Sequence, residues 1–405
     1  MTDTGTSAQL PGHRLFTGIA ELYTPFDRVE DAALAVEEGK VAWVGPRDRL
    51  PDGYADWPVH DLGGRAVVPG LVDSHTHLVW AGDRGDEYRL RSHGAAYEEI
   101  LQAGGGIHST VAATVEATEE ELLELALNRA EIFLAGGVTT LEVKSGYGGE
   151  LEQELKMLRV IRRLAETVPQ QVVPTLLAHV IPAGWERERY VDAFVSELIP
   201  AVSEANLAGA VDVFCDSGAF TLDETRRIFE AALESGLQIK AHAEQLSHSG
   251  ATALVAELGG LSADHLEEAT EEDWQALAQA GTVGTILPGA TVLLRKPFPD
   301  ARRMWDAGVK VAVASDHNPG SSPFYSLFLA LQLTVALGGL SVEEVLIAGT
   351  AHAADALGRP GLGRLEPGSD ADFLVTATPH ATGPLYTWGV TRLSAVYSGG
   401  EPVWP

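Results

Sequence analysis

Two histidines one residue apart, His75 and His77, close the apolar run that begins at Leu71-Val72. On a strand, alternate side chains share a face, so the pair can offer two imidazole nitrogens to one metal ion. Alone, such a pair is more often two ordinary strand histidines on a half-exposed face, so the chemistry needs partners. They stand at the ends of other apolar runs: His179, His242, His265 and Asp316. A lone strand histidine is usually a satisfied core residue. Ionisable groups at five of eight such run ends are hard to explain as packing.

The elements that must position them alternate strand and helix from Val67 onward. The runs 71–77, 138–144, 171–179, 210–215, 238–242, 262–265, 282–287 and 310–315 read as strands. The stretches 119–135, 150–166, 187–202, 222–235 and 251–258 between them read as helices. Eight uniformly apolar strands alternating with helices predict a closed parallel (β/α)8 TIM barrel, whose active site lies at the C-terminal strand ends. An open doubly wound sheet is the runner-up, but no glycine-rich phosphate fingerprint follows the first strand. Gly104-Gly105-Gly106 reads instead as a flexible loop near the barrel mouth. Short valine- and aromatic-rich runs with glycine turns fill both ends of the chain, which predicts a small β-sandwich domain formed from both termini. The expected divisions are 1–66 and 361–405 for that domain and 67–360 for the barrel.

The 405 residues suit a barrel of about 250 residues or more with an appended domain. Lysine and arginine total 28 against 57 acidic residues, a net charge of −29, which argues against nucleic acid as a partner. An anionic substrate would need a local cation supplied by its site. No apolar run approaches the roughly 20 residues of a membrane span, and Met1 to Ser7 lacks a signal-peptide pattern, so a cytoplasmic protein is expected. The single cysteine, Cys215, excludes an internal disulfide.

The strand-end pattern resembles the amidohydrolase superfamily of metal-dependent hydrolases. Five segments carry the likeness further: Gly104-Gly-Gly-Ile-His-Ser-Thr-Val, Glu142-Val-Lys-Ser-Gly-Tyr-Gly, Asp212-Val-Phe-Cys, Ser262-Ala-Asp-His-Leu and Ser315-Asp-His-Asn-Pro-Gly-Ser-Ser. They resemble the imidazolonepropionase family over nearly the whole chain. The resemblance implies hydrolysis of the ring C–N bond of 4-imidazolone-5-propanoate to N-formimino-L-glutamate, in histidine degradation. It implies a metal set of His75, His77, His242 and Asp316, and a homodimer as the common assembly. Cys215-Asp216 stands where a second metal in the superfamily usually finds lysine or glutamate, so one divalent ion per chain is expected. Zinc and iron both suit the ligands. Lys144, on the second strand, is read as a residue behind the ligands or an anchor for the loop.

A bound metal lowers the pKa of its water toward ~7, and Asp316 beside it is the natural proton acceptor. His265 is placed to hydrogen-bond the ring carbonyl or developing oxyanion, or alternatively to orient Asp316. The resemblance assigns substrate contacts to Arg84, Tyr147, His179, Gln245, Asn318, Gly320 and Ser321. Arg84 could hold the propionate through its fork, or form a surface ion pair with Asp83 or Asp86. Asn318, Gly320 and Ser321 form a turn that could offer backbone N–H groups to an anion. Tyr97 is a further candidate for that carboxylate. Deaminases on this scaffold resemble His-x-x-Glu after strand five, whereas here His242-Ala-Glu-Gln places an amide at 245, which cannot carry a proton. Glu244 should point away. A deaminase acting on a nucleobase-like ring is the second reading, and a non-catalytic scaffold the third.

Overall fold

The computed structural model describes residues 12–94 and 105–405; Tyr97, Gly104 and the first 11 residues lie outside them. The first four strands are β1 (His13–Tyr23), β2 (Arg28–Glu37), β3 (Lys40–Pro46) and β4 (Val59–Pro69). Eight parallel strands follow: β5 (Leu71–Asp73), β6 (Val138–Lys144), β7 (Gln171–Ala178), β8 (Ala210–Cys215), β9 (Gln238–Ala243), β10 (Ser262–His265), β11 (Val283–Ile286) and β12 (Val311–Val313). They pair in chain order. A parallel bridge between Thr76 and His317 closes the ring between the segments that leave β5 and β12. All seven residues of β6 are buried, as expected for a strand covered on one face by helices and on the other by the barrel interior.

Helices lie between the barrel strands, and several announce their starts locally. Thr118, Thr221 and Thr270 each form a capping box with the residue three positions on, opening Glu119–Ala135, Leu222–Glu234 and Glu271–Ala280. The helix expected over 187–202 is interrupted. It runs as Arg187–Ala193, a wider π turn Phe194–Leu198, then Ile199–Glu204. Pro200 has no N–H to give to the preceding turn, so the regular ladder cannot pass through it.

Both chain ends meet in one sheet. β13 (Phe373–Thr376), β14 (Leu393–Ser398) and β15 (Glu401–Trp404) join β1–β4 in the order β15-β14-β13-β4-β1-β2-β3. Its pairings are antiparallel except β1 with β4. Phe16 on β1 is three strands from Tyr397 on β14, about 14 Å along a flat sheet. Their ring centroids are 5.3 Å apart, so this one continuous sheet curls over a shared core where two separate layers would otherwise stand.

Candidate metal centre and active site

The strand expected to carry both first histidines stops at Asp73. His75 and His77 lie beyond it, on an extended segment held by backbone bonds from Asp316 N to His75 O, His77 N to His317 O and Lys144 N to Thr76 O. Two neighbouring strands thereby fix the spacing that pairing within β5 does not.

Four side chains converge there. Nε2 of His75 lies 3.1 Å from Nε2 of His242 and 3.6 Å from Oδ1 of Asp316, and Nε2 of His77 lies 3.5 Å from the same oxygen. Ligand atoms around a tetrahedral ion with metal–nitrogen bonds of 2.0–2.1 Å stand about 3.3 Å apart. The other nitrogens of two of these rings are committed. Nδ1 of His75 donates to Asp264 Oδ2 at 2.7 Å, and Nδ1 of His242 faces Asp212 Oδ2 at 3.0 Å. Each ring therefore turns a lone pair inward, and two lone pairs facing at 3.1 Å repel unless a cation lies between them. Oδ2 of Asp316 is buried and has no hydrogen-bond partner among the described residues. The donor set fits a divalent metal ion.

Behind the ligands, five fully buried charged residues fill the barrel interior. Lys144 Nζ reaches Asp212 Oδ2 at 2.7 Å, Glu142 Oε2 at 2.8 Å and Asp264 Oδ2 at 3.9 Å. Lys240 Nζ bonds Glu142 Oε1 at 2.8 Å and Ser74 O at 3.0 Å. Burial alone would push the Asp212 carboxyl up, but His242 and Lys144 outweigh it and hold it well below the usual range. Burial, reinforced by Lys144, holds His75 well below the ordinary imidazole value, so the ring stays neutral. Asp212 and Asp264 already share a cation in Lys144. None of the three carboxylate partners of Lys144 and Lys240 was singled out from sequence for a role. Their signal was available: a charged residue inside an apolar parallel strand must find its counter-charge within the barrel.

His77, Arg84, Tyr147, His179, His242, Gln245, His265, Asp316, Asn318, Gly320 and Ser321 line one cavity, together with Ile107. His75 lies beneath it, fully buried. Every site residue named from sequence and described in the structure is thus brought to one place. His265 reaches it by breaking strand alternation. Asp264, its neighbour, already faces the barrel interior, and φ values of +90° at His265 and +70° at Leu266 turn the second side chain inward as well. Glu244 does not line the cavity. Its carboxylate accepts from Gly250 N at 2.8 Å and Thr252 Oγ1 at 3.0 Å.

Two details differ from expectation. Arg84 pairs with neither Asp83 nor Asp86: its Nε bonds Glu87 Oε2 at 2.5 Å and its Nη1 approaches Thr110 Oγ1 at 3.3 Å. Asp83 instead accepts from Gly85 N, and Asp86 sits near Arg89. The turn after β12 does not hold its N–H groups ready for an anion. Asn318 Oδ1 accepts from Gly320 N at 2.9 Å and Ser321 N at 2.8 Å, while Asn318 N bonds Ser322 O. That turn is self-satisfied, and its contribution to the cavity is side-chain and shape. Asp216 likewise is committed elsewhere, accepting from Leu246 N and Ser247 Oγ.

Residues 66–403 match the model of the Amidohydrolase family. The chain is 46% identical to an imidazolonepropionase of Deinococcus deserti over 96% of its length and 99% of that protein. It is 45% identical to one of Geobacillus kaustophilus over 93% and 90%. Solved structures of similar fold include a zinc-bound adenosine deaminase from Xanthomonas campestris, 19% identical with a TM-score of 0.73 over 98% of this chain and 93% of that one. A triazine hydrolase variant, 18% identical, has a TM-score of 0.78 over 96% and 94%.

Proposed function

This chain belongs to the amidohydrolase family, and we infer that it is a hydrolase of a cyclic amide C–N bond, opening 4-imidazolone-5-propanoate to N-formimino-L-glutamate. The observation that carries this reading is near-full-length identity of 45–47% to imidazolonepropionases. The cavity supports it, with an arginine and a neutral amide where a heterocyclic acid needs a cation and a ring contact. The deaminase reading has only likeness of fold, at 15–19% identity.

His75, His77, His242 and Asp316 would hold one divalent ion, zinc or iron. When bound, that ion supplies Lewis acidity, which makes water nucleophilic at neutral pH and polarises a carbonyl. Asp316 receives the proton of the attacking water through its unpartnered oxygen. His265 donates a hydrogen bond to the ring carbonyl oxygen as charge develops there. As the C–N bond breaks, the proton passes to the leaving nitrogen. Arg84 binds the propionate, and Tyr147, His179 and Gln245 orient the ring by hydrogen bonds.

Incubating the metal-loaded protein with 4-imidazolone-5-propanoate tests the reading. Ring absorbance should fall with no release of ammonia, because both nitrogens remain in the product. Ammonia from cytosine or adenosine at a comparable rate would overturn it.

A further inference from the structure

Glu267 lies two residues beyond His265, with a carboxyl group that no step above uses. Its side chain is fully buried, and its Oε2 has no hydrogen-bond partner among the described residues. Nδ1 of His265, also buried and also without a partner, faces that oxygen at 3.8 Å. Two unpartnered polar atoms pointed at each other inside a protein are an unfinished hydrogen bond. A closing movement of about 1 Å completes it. The other carboxyl oxygen is already fixed: Oε1 accepts from Thr291 Oγ1 at 2.7 Å, on the helix Pro288–Leu294.

The chain is bent to make this meeting possible. The successive positive φ values at His265 and Leu266 form a bulge beyond β10, where Leu266 N still bonds Ala243 O and Glu268 N bonds Glu244 O, and the extra residue brings Glu267 alongside the His265 ring. Backbone conformations of that kind persist where the surroundings hold them, and they gather at functional sites.

We propose that Glu267 is a positioning residue for the hydrolysis: its carboxylic acid donates from Oε2 to Nδ1 of His265, which keeps the ring's own proton on Nε2, facing the substrate carbonyl. Carbonyl stabilisation requires that tautomer, since a ring protonated on Nδ1 presents only a lone pair to the oxyanion. The bond from Thr291 to Oε1 is consistent with the acid proton residing on Oε2. Burial pushes the Glu267 carboxyl up to about 7, so the acid form is available near neutrality. The same burial holds His265 down to about 3, so the ring is neutral and its tautomer has meaning.

The inference rests on the hydrolase reading only for its kinetic consequence, so one arm of the test avoids turnover. In zinc-loaded protein labelled with 15N-histidine, the His265 resonances, assigned by their loss in His265→Asn, should report a proton on Nε2. Glu267→Gln, whose amide can donate to Nδ1, should keep that tautomer, and Glu267→Leu should lose it. A wild-type ring protonated on Nδ1 would overturn the proposal whatever the substrate. In turnover, Glu267→Leu should lower kcat about 10- to 100-fold with KM and metal content nearly unchanged. Glu267→Gln should recover most of that loss. Because Glu267 acts through His265, adding Glu267→Leu to His265→Ala should cost nothing further. A full additional loss would mean that Glu267 supports the fold rather than the ring. Failure of the wild type to turn over the imidazolone would sink the activity reading and leave the tautomer result standing.

Discussion

Arg84 enters the cavity already bonded to Glu87, and that pairing shapes what its removal should do. The guanidinium has five N–H groups, so one bond to Glu87 leaves donors for a second carboxylate. A charge-assisted hydrogen bond contributes about 1.5–3 kcal/mol. Arg84→Gln should therefore lower kcat/KM on the imidazolone propionate roughly 10- to 150-fold with metal content unchanged. An imidazolone lacking the carboxylate should lose far less. Equal losses on both would mean that Arg84 acts through Glu87, which also accepts from Gly106 N and Ser109 Oγ at the start of the helix Ile107–Glu116. The turn at Asn318 offers no fallback for the anion, because its N–H groups are consumed internally. For the metal, one equivalent per chain is expected. His242→Ala should abolish both its retention against a chelator and turnover; two tightly bound equivalents would contradict the single-ion site. At this scale the sequence was legible where residue type betrays purpose, as with imidazoles closing apolar strands. It was opaque where purpose depends on a partner far along the chain, as with Asp264 and His75, 189 residues apart.

The loop that carries Tyr147 is held by an element behind it rather than by its own composition. Glu154, one turn into the helix Leu151–Thr167, is buried and accepts from the N–H groups of Gly146, Gly148 and Gly149 at 2.7–2.8 Å. Glu154→Ala would leave three such groups without a partner. At about 1–3 kcal/mol for each, this should destabilise the fold by several kcal/mol. Gly148 tests the same contact from the other side. A Cβ there would lie 2.4 Å from Glu154 N, so the loop must shift to admit one. Gly148→Ala should raise KM and lower thermal stability while leaving metal binding intact; a variant with wild-type KM would show that Tyr147 is positioned some other way. The motif Ser-Gly-Tyr-Gly was visible in sequence, and so were most helix and strand bounds, because amphipathic and uniformly apolar runs are strong local signals. The early end of β5 at Asp73 and the π turn before Pro200 were not. The first depends on where neighbouring backbone offers hydrogen bonds, which no local pattern records; the second had a local signal in Pro200, whose missing N–H breaks the ladder.

Across the whole molecule, two electrostatic effects on the substrate have opposite signs. The net charge of −29 repels an anion at long range, while Arg84, lining the cavity, would attract it at contact. Salt separates them, since the screening length falls from about 10 Å at 0.1 M to about 3 Å at 1 M. Charges spread over the surface act through water and are screened. A guanidinium whose side chain is only 7% exposed would be screened little in its contact with a bound carboxylate. Raising sodium chloride from 0.05 to 0.5 M should therefore increase kcat/KM on the imidazolone propionate, about two- to tenfold, with the gain in KM and little change in kcat. The carboxylate-free imidazolone is neutral and should show a flat profile. In Arg84→Gln the anionic substrate should keep the same upward slope from a lower starting value, because the repulsion belongs to the whole surface and not to that residue. A fall in kcat/KM with salt for the wild type would mean the opposite balance: cations at the mouth steer the substrate strongly enough to overcome the rest of the chain. The slope lost in Arg84→Gln would then measure how much of that steering is Arg84's own.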